Sequence, residues 1–425
     1  MEEKNKNNQA SKRFNNVRVA LVHDFLNQYG GAERVLEVLC EMFPEAPIYT
    51  LLYDKEKMRG KLAGREIRTS FLQSFPRFLR RHPRWLLPII PTAPETFDLR
   101  EFDLVISSSG AWSKGIVTRL DTLHIAYIHS PMRFIWDYNE KYLKEGRHEK
   151  LGFLIRPFLS YLRLWDRLAA DRPDYLIANS EYTRSRIAKY YRRESAVIYP
   201  PVNSEFFGCA KSDEARQNSK FFLIVSRLSP YKKIDVAIEA FNKLGLSLVV
   251  VGTGKQEKEL KMMAKRNIKF LGWVPDEKMA AIYAQTRAFV FPGVDDFGIA
   301  PAEALAQGVP VIAVRRGGVK EIIEEGRTGE FFDSATPEVI ADAVRRFGEN
   351  EKRYDREYIR QSAEKFSKER FIREMEEYIS DAISKSKFQI SNQIPASTCG
   401  DDRSPASTRI NISSNRGEST RDGQS

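Results

Sequence analysis

The chain has 425 residues, with 68 Lys+Arg against 57 Asp+Glu and a formal net charge of +11. One hydrophobic core stops growing near about 250–300 residues, so the length predicts two or three domains, and 42% hydrophobic with 29% charged residues excludes bulk disorder. The longest apolar runs, such as Phe221 to Val225, fall far short of the roughly 18 residues of a membrane span, and Cys40, Cys209 and Cys399 give neither a disulfide framework nor zinc spacing.

Residues 1–16 are polar, without the apolar core of a secretory leader, and are expected to form a disordered arm of a cytoplasmic protein. Val17 to Val22 reads as a strand, Gly30-Gly31 as a turn, and Ala32, Val35, Leu36, Val38, Leu39 and Phe43 as one face of a helix. Strand, glycine loop and helix open a parallel α/β unit. From Lys57 to Arg84 nine Lys/Arg stand against one acid, Glu66, interleaved with Phe71, Phe75, Phe78 and then Trp85. With the apolar positions of 153–168, this pattern suits either an anionic membrane surface reached through 57–90 or ordinary helices with solvated charges. Further strands are expected at 104–107, 125–128, 175–178 and 196–199.

A polar break follows Pro200-Pro201, and the α/β rhythm restarts. Strands are expected at 221–226, 246–251, 268–271, 287–291 and 310–314, with helices near 233–244, 255–266, 276–285, 299–307 and 336–348. The tail from about 386 repeats Pro-Ala-Ser-Thr, offers a sequon at Asn411, and lacks the apolar residues of a core, so it is expected to be disordered.

Four stretches have the chemistry of a site. Asp295 and Glu303 flank a loop that feeds a helix behind Gly298, where backbone N–H groups suit a phosphate and carboxylates suit sugar or ribose hydroxyls; a solvated turn reads equally well. Arg227 and Lys232 follow a strand and can clamp a diphosphate, or belong to a solvated basic loop. His129, at a strand end before Pro131, is a proton-transfer or hydroxyl-binding group, or a structural histidine, and His23 is equally ambiguous. Gly252-Thr253-Gly254 is half of a dinucleotide fingerprint, with Glu257 in place of its last glycine.

Together these motifs resemble family 4 glycosyltransferases of the GT-B fold, from about Arg18 to Ile383. The resemblance rests on Gly30-Gly31-Ala32-Glu33-Arg34, Ala178 to Thr183, Val197 to Val202, Ser226 to Lys232, and Asp295 to Glu303, where Asp replaces the first Glu of the family's Glu-x7-Glu. Asp296 to Pro301 and the run 129–137 look closest to mannosyltransferase-like members that build bacterial surface polysaccharides.

The implied architecture is two Rossmann-like domains facing across a cleft. The divisions are an arm at 1–16, an acceptor-side domain at 17–205, a linker at 206–219, a nucleotide-sugar domain at 220–365, a C-terminal helix at 366–385 packing back on the first domain, and the tail at 386–425. The implied reaction transfers a hexose, mannose first, with retention of configuration to a glycan or polyprenyl-diphosphate-linked acceptor. GDP-mannose is the favoured donor and a UDP-sugar the second, with no metal or other cofactor.

Arg227 and Lys232 would neutralise the diphosphate, Asp295 and His129 meet the sugar, and Glu303 hold the ribose. Gly30, Gly31, Val274, Phe297, Gly298 and Ile299 would line the donor site, and Asp296 is a candidate to compensate for the shorter Asp295. A GT-B nucleotide-sugar epimerase is the alternative; nucleic-acid binding through 57–84 leaves the donor motifs unexplained, so no nucleic-acid partner is expected.

Overall fold

A computed structural model of the chain describes residues 14, 16–81, 83–137, 152–207 and 221–393. The expected arm up to residue 13, most of the linker (208–219), and the tail from 394 with Cys399 and Asn411 lie outside them, as does Cys209.

The first sheet contains β1 (Val19–Leu26), β2 (Ile48–Tyr53), β3 (Ile67–Thr69), β4 (Leu104–Ser109), β5 (Leu123–Ile128), β6 (Tyr175–Ala178) and β7 (Ala196–Val197). Its order is β3-β2-β1-β4-β5-β6-β7, and every pairing is parallel. The second contains β8 (Phe221–Val225), β9 (Leu248–Val251), β10 (Ile268–Gly272), β11 (Thr286–Phe291), β12 (Val311–Val314) and β13 (Gly329–Phe332), in the order β10-β9-β8-β11-β12-β13, again all parallel. The central strands are covered on both faces, so they read as unbroken apolar runs. Both sheets reverse direction of winding beside their first strand, between β1 and β4 and between β8 and β11. Ligands of such sheets lie beyond the carboxyl ends at that reversal. The fold is two Rossmann-like domains, as the resemblance implies.

Helices of seven residues or more are α1 (Gly31–Met42), α2 (Gly152–Ala169), α3 (Glu181–Tyr191), α4 (Ile234–Leu244), α5 (Glu257–Met263), α6 (Asp276–Tyr283), α7 (Ile299–Ala306), α8 (Pro337–Asn350), α9 (Arg356–Ser362) and α10 (Lys368–Gln393). Their ends follow local chemistry. Ser180 accepts from the Thr183 N–H to start α3, Thr336 caps α8 ahead of Pro337, and Gly245 at φ +71° ends α4. One core gathers Phe222, Val250, Phe289, Ile312 and Phe347; a second gathers Leu21, Ile48, Ile106 and Ile125. Phe371, Met375 and Ile379 of α10 are buried in this second core, among residues of the first sheet. Each such buried side chain contributes about 1.5–3 kcal/mol, which ties the end of the compact unit at Ile383 to its beginning.

The basic segment 57–84 stays at the surface, with many of its charges paired. It is no single helix: β3 pairs with β2 inside it, and short 3₁₀ and α turns fill the rest. Lys57 pairs with Asp54, Lys61 with Glu37, Arg68 with Glu66 and Glu101, and Arg77 with Glu56. Arg65 donates to the carbonyls of Phe43 and Pro44. Four of these acids, Glu37, Asp54, Glu56 and Glu101, come from outside the segment and offset part of its excess charge at the surface. Among the described residues no helix is long and apolar enough to cross a membrane.

Candidate active site

The loop after β8 is shaped by close backbone packing. A Cβ on Gly252 would lie 1.9 Å from the Ser226 carbonyl oxygen, and one on Gly254 2.2 Å from that of Leu228. The Leu228 N–H donates to the Thr253 carbonyl at 3.0 Å. The Gly-Thr-Gly run therefore buttresses the Arg227 loop, and needs no nucleotide of its own to explain it. Arg227 is exposed at the sheet's carboxyl edge, donating to Gln28 Oε1 at 2.9 Å and to the Tyr231 hydroxyl at 3.1 Å. Lys232 forms an ion pair with Asp295, and Gly293 lets these two loops meet, since a Cβ there would come within 2.9 Å of Lys232 Cα. Burial raises the affinity of the Asp295 carboxyl for its proton, but Lys232 and Arg133 outweigh it and hold the group below its ordinary value. Arg227, Lys232 and Asp295 thus share one end of the second sheet, at its reversal point.

Asp296, one residue on, is committed elsewhere. It is buried and accepts from Arg133 Nε at 2.8 Å and from Arg186 Nη1 at 2.5 Å, while its carbonyl accepts from Ser180 Oγ at 2.7 Å. Arg186 also pairs with Asp137. Glu321 adds a second tie: its carboxylate accepts from the first N–H groups of α3, Glu181 and Tyr182, both at 2.8 Å, where helix dipole and free donors favour an anion. Asp296, the candidate to compensate for the shorter Asp295, is thus engaged in this inter-domain tie. Each carboxylate oxygen of Asp296 is engaged by a guanidinium of the facing domain, so the side chain ties the two domains together.

Each residue of Gly30-Gly31-Ala32-Glu33-Arg34 except Ala32 has a traceable task. A Cβ on Gly30 would press on Glu33 Oε2 at 3.3 Å, and one on Gly31 would strike Ile299 Cδ1 at 2.8 Å. The glycines therefore allow the start of α1 to approach the start of α7. Glu33 turns inward to His23, with 3.6 Å between Oε1 and Nε2. Arg34 crosses between the domains, pairing with Glu303 and donating to Asp276 Oδ1 at 2.8 Å. Glu303 is 4% exposed. Burial and the neighbouring Asp276 carboxylate push its carboxyl up to about 7, against the pull of Arg34. In this structure the carboxylate expected at a ribose is held by an arginine of the facing domain.

His129 sits at the carboxyl end of β5. Its Nε2 is 2.8 Å from Ser108 Oγ, which lies 3.1 Å from His23 Nδ1. Burial, with His23 alongside, lowers its pKa to about 3, so the ring is neutral across the working range. That removes the general-acid option for His129 and leaves it as a hydrogen-bonding group. Phe297 packs into the core against Tyr199 and Phe366, with centroids 5.8 and 5.3 Å away. Its side chain is therefore structural. Gly298, at φ +103°, turns the chain into α7 in a conformation that suits only glycine, and Ile299 follows as the first helical residue. Val274 packs against the core of the second sheet beside Trp273, whose ring carries Arg59 at 3.5 Å. Among the described residues no group of three His, Cys, Asp or Glu is placed to hold a metal.

Sequence reasoning missed Arg34, Asp276, Arg133 and Arg186. Arg34 and Arg133 stood inside quoted motifs, the glycine loop and the run 129–137, but every one of the four meets a partner more than 100 residues away.

Comparison with known proteins agrees with this geometry. Residues 29–206 match the Glycosyltransferase Family 4 model and residues 209–366 the model for Glycosyl transferases group 1. A GDP-mannose-dependent alpha-(1-6)-phosphatidylinositol monomannoside mannosyltransferase of Mycolicibacterium smegmatis is 31% identical over 205 residues, 42% of this chain and 54% of that protein. The D-rhamnosyltransferase WbpZ of Pseudomonas aeruginosa is 29% identical over 213 residues, 47% of this chain and 54% of its own length. The chain spans about half the length of the curated relatives it matches. The structure of Anabaena HepE in complex with UDP and glucose superposes with a TM-score of 0.64 at 18% identity, covering 86% of this chain and 99% of that one, and so shares the GT-B fold.

Proposed function

The chain belongs to the family 4 glycosyltransferases, and from that premise we propose that it transfers a hexose, mannose first, from a nucleoside-diphosphate sugar to a hydroxyl of a glycan or lipid-linked acceptor. The observation that carries this reading is the grouping of Arg227, Lys232 and Asp295 at the carboxyl edge of the second sheet. In the step, the bond between the anomeric carbon and the diphosphate oxygen breaks and its electron pair stays on the diphosphate. The acceptor oxygen forms the new bond on the same face, and its proton passes to the departing phosphate. Arg227 and Lys232 stabilise the charge that develops there, a contribution worth about 10²–10³-fold in rate for a single well-placed donor. Lys232 must loosen its pair with Asp295 to do so, which frees Asp295 for a sugar hydroxyl. Glu303, released by Arg34, takes the ribose.

GDP-mannose as donor is supported by the named mannosyltransferase relative, and a UDP-sugar stands second through the UDP-bound HepE structure. An anionic membrane surface as a docking partner is supported by exposed Phe78 and Trp85 and by Tyr161, Leu164 and Leu168 on α2; flotation with anionic but not neutral vesicles is its test. The transfer reading is tested without knowing the acceptor. The protein is incubated with GDP-mannose or UDP-glucose, nucleotide release is followed, and the anomer first released is read by NMR. Slow release of the α-sugar from one donor is expected. No turnover of either donor, or conversion to an isomeric nucleotide sugar, overturns it.

A further inference from the structure

A chain of buried polar side chains leads from α1 to the cleft. Glu33 is 4% and His23 2% exposed, and Ser108 is fully enclosed. The links are Glu33 Oε1 to His23 Nε2 at 3.6 Å, His23 Nδ1 to Ser108 Oγ at 3.1 Å, and Ser108 Oγ to His129 Nε2 at 2.8 Å. Neighbouring β4 side chains point to opposite faces. On the other face Ser107 meets His124 in a pair that ends in the core, with His124 Nδ1 buried and unpartnered. The Ser108 chain instead ends at His129, a half-buried residue, and among the described residues nothing hydrogen-bonds its Nδ1.

The direction of the chain follows from which groups can donate. A carboxylate at Glu33 only accepts, so for a neutral His23 the favourable arrangement places its proton on Nε2. Nδ1 of His23 is then an acceptor, and the Ser108 hydroxyl donates to it. Ser108 Oγ is left to accept from His129, which therefore carries its proton on Nε2. The reverse arrangement would set a His23 lone pair against a buried carboxylate 3.6 Å away. Gly30 makes room for this carboxylate, since a Cβ there would meet Glu33 Oε2 at 3.3 Å.

We propose that Glu33, His23 and Ser108 are positioning residues that fix His129 as the Nε2–H tautomer, so that Nδ1 offers a lone pair and selects a donor sugar whose hydroxyl can donate to it. This deepens the transfer reading and rests on it for the sugar, while the tautomer itself is a property of the ligand-free protein.

The chain has five histidines, few enough for ring-nitrogen NMR on ¹⁵N-histidine-labelled full-length protein. At pH 7 the wild type is expected to show His129 with a protonated Nε2 and an unprotonated Nδ1. Glu33→Gln, which offers an amide donor to His23, shifts that tautomer toward Nδ1–H; Ser108→Ala, which cuts the chain, gives a mixture and serves if the first variant fails to fold. Addition of GDP-mannose moves the His129 Nδ1 resonance as a hydrogen-bond acceptor would, and Glu33→Gln raises KM for the donor more than it lowers kcat. Glu33→Asp restores both the tautomer and KM in part. A protonated Nδ1 in the wild type, or a tautomer indifferent to Glu33→Gln and Ser108→Ala, overturns the relay whether or not the protein transfers sugar. An unmoved Nδ1 resonance in a protein that turns over GDP-mannose overturns its role at the sugar while leaving the transfer reading intact.

Discussion

The adjacent carboxylates Asp295 and Asp296 are assigned opposite tasks by their partners, and a pair of isosteric substitutions separates them. Asp296→Asn keeps the shape of the side chain and removes its charge from between Arg133 and Arg186. Removing one member of a buried ion pair costs about 3–5 kcal/mol. Arg186 keeps Asp137, and the amide oxygen still accepts one bond, so the loss falls at about 2–3 kcal/mol. Unfolding entropy of about 2.1 cal/mol/K per residue gives about 0.8 kcal/mol/K for the unit ending at Ile383. The expected fall in Tm is therefore about 3–4 °C. Asp295→Asn leaves only Lys232 without its partner, at a carboxylate 23% exposed against 8% for Asp296; the shift is about 1 °C or less, while donor turnover falls by about 10-fold or more. Scanning calorimetry and nucleotide release on both variants give the answer. A Tm for Asp296→Asn within 1 °C of wild type, or the larger fall in Asp295→Asn, would refute the division of labour.

Other consequences are equally specific. Glu303 titrates from an ordinary value of 4.5 to about 7 in the fold, so the folded state favours its protonated form. That contribution is full below pH 4.5 and is lost as the pH rises to 7, a change of about 3 kcal/mol; Tm measured against pH in wild type and Glu303→Gln should differ by this slope in that window. Gly252→Ala places a Cβ against the Ser226 carbonyl at a φ of +128°, costs about 2–4 kcal/mol, and weakens nucleotide binding by displacing the Arg227 loop, as titration calorimetry would show. Lys114→Met strands Asp166, which is fully buried and also accepts from Trp136 and Tyr191. Denaturant unfolding should report a loss of about 3–5 kcal/mol.

Much of this fold is legible in the residues, and the exceptions have physical causes. Continuous apolar runs such as Leu248 to Val251 and Phe289 to Phe291 mark buried parallel strands. The strands β2, β3 and β13 escaped notice. Ile48–Tyr53 mixes Thr and Tyr into its run, Ile67–Thr69 is three residues inside a basic stretch, and Gly329–Phe332 opens with glycine and glutamate. Arg227, Lys232 and Asp295 were visible because the loops that hold them follow strands at the reversal point. Arg34 and Glu303 meet 269 residues apart, and local pattern carries nothing about such a pair. The same holds for Asp296, which sequence alone cannot tell from Asp295. The partners of 57–84 were hidden for a related reason: Glu37, Asp54, Glu56 and Glu101 come from outside the segment.

The central claim is that Arg227 and Lys232 form the diphosphate end of a nucleotide-sugar site. Titration calorimetry of the wild type and Arg227→Ala with GDP, GMP, UDP and UMP tests it most directly. A charged hydrogen bond is worth about 1.5–3 kcal/mol, so one diphosphate should bind the wild type about 10–100-fold more tightly than its monophosphate, and Arg227→Ala should erase most of that difference. Equal affinity for mono- and diphosphates, or full diphosphate affinity in Arg227→Ala, would contradict the account.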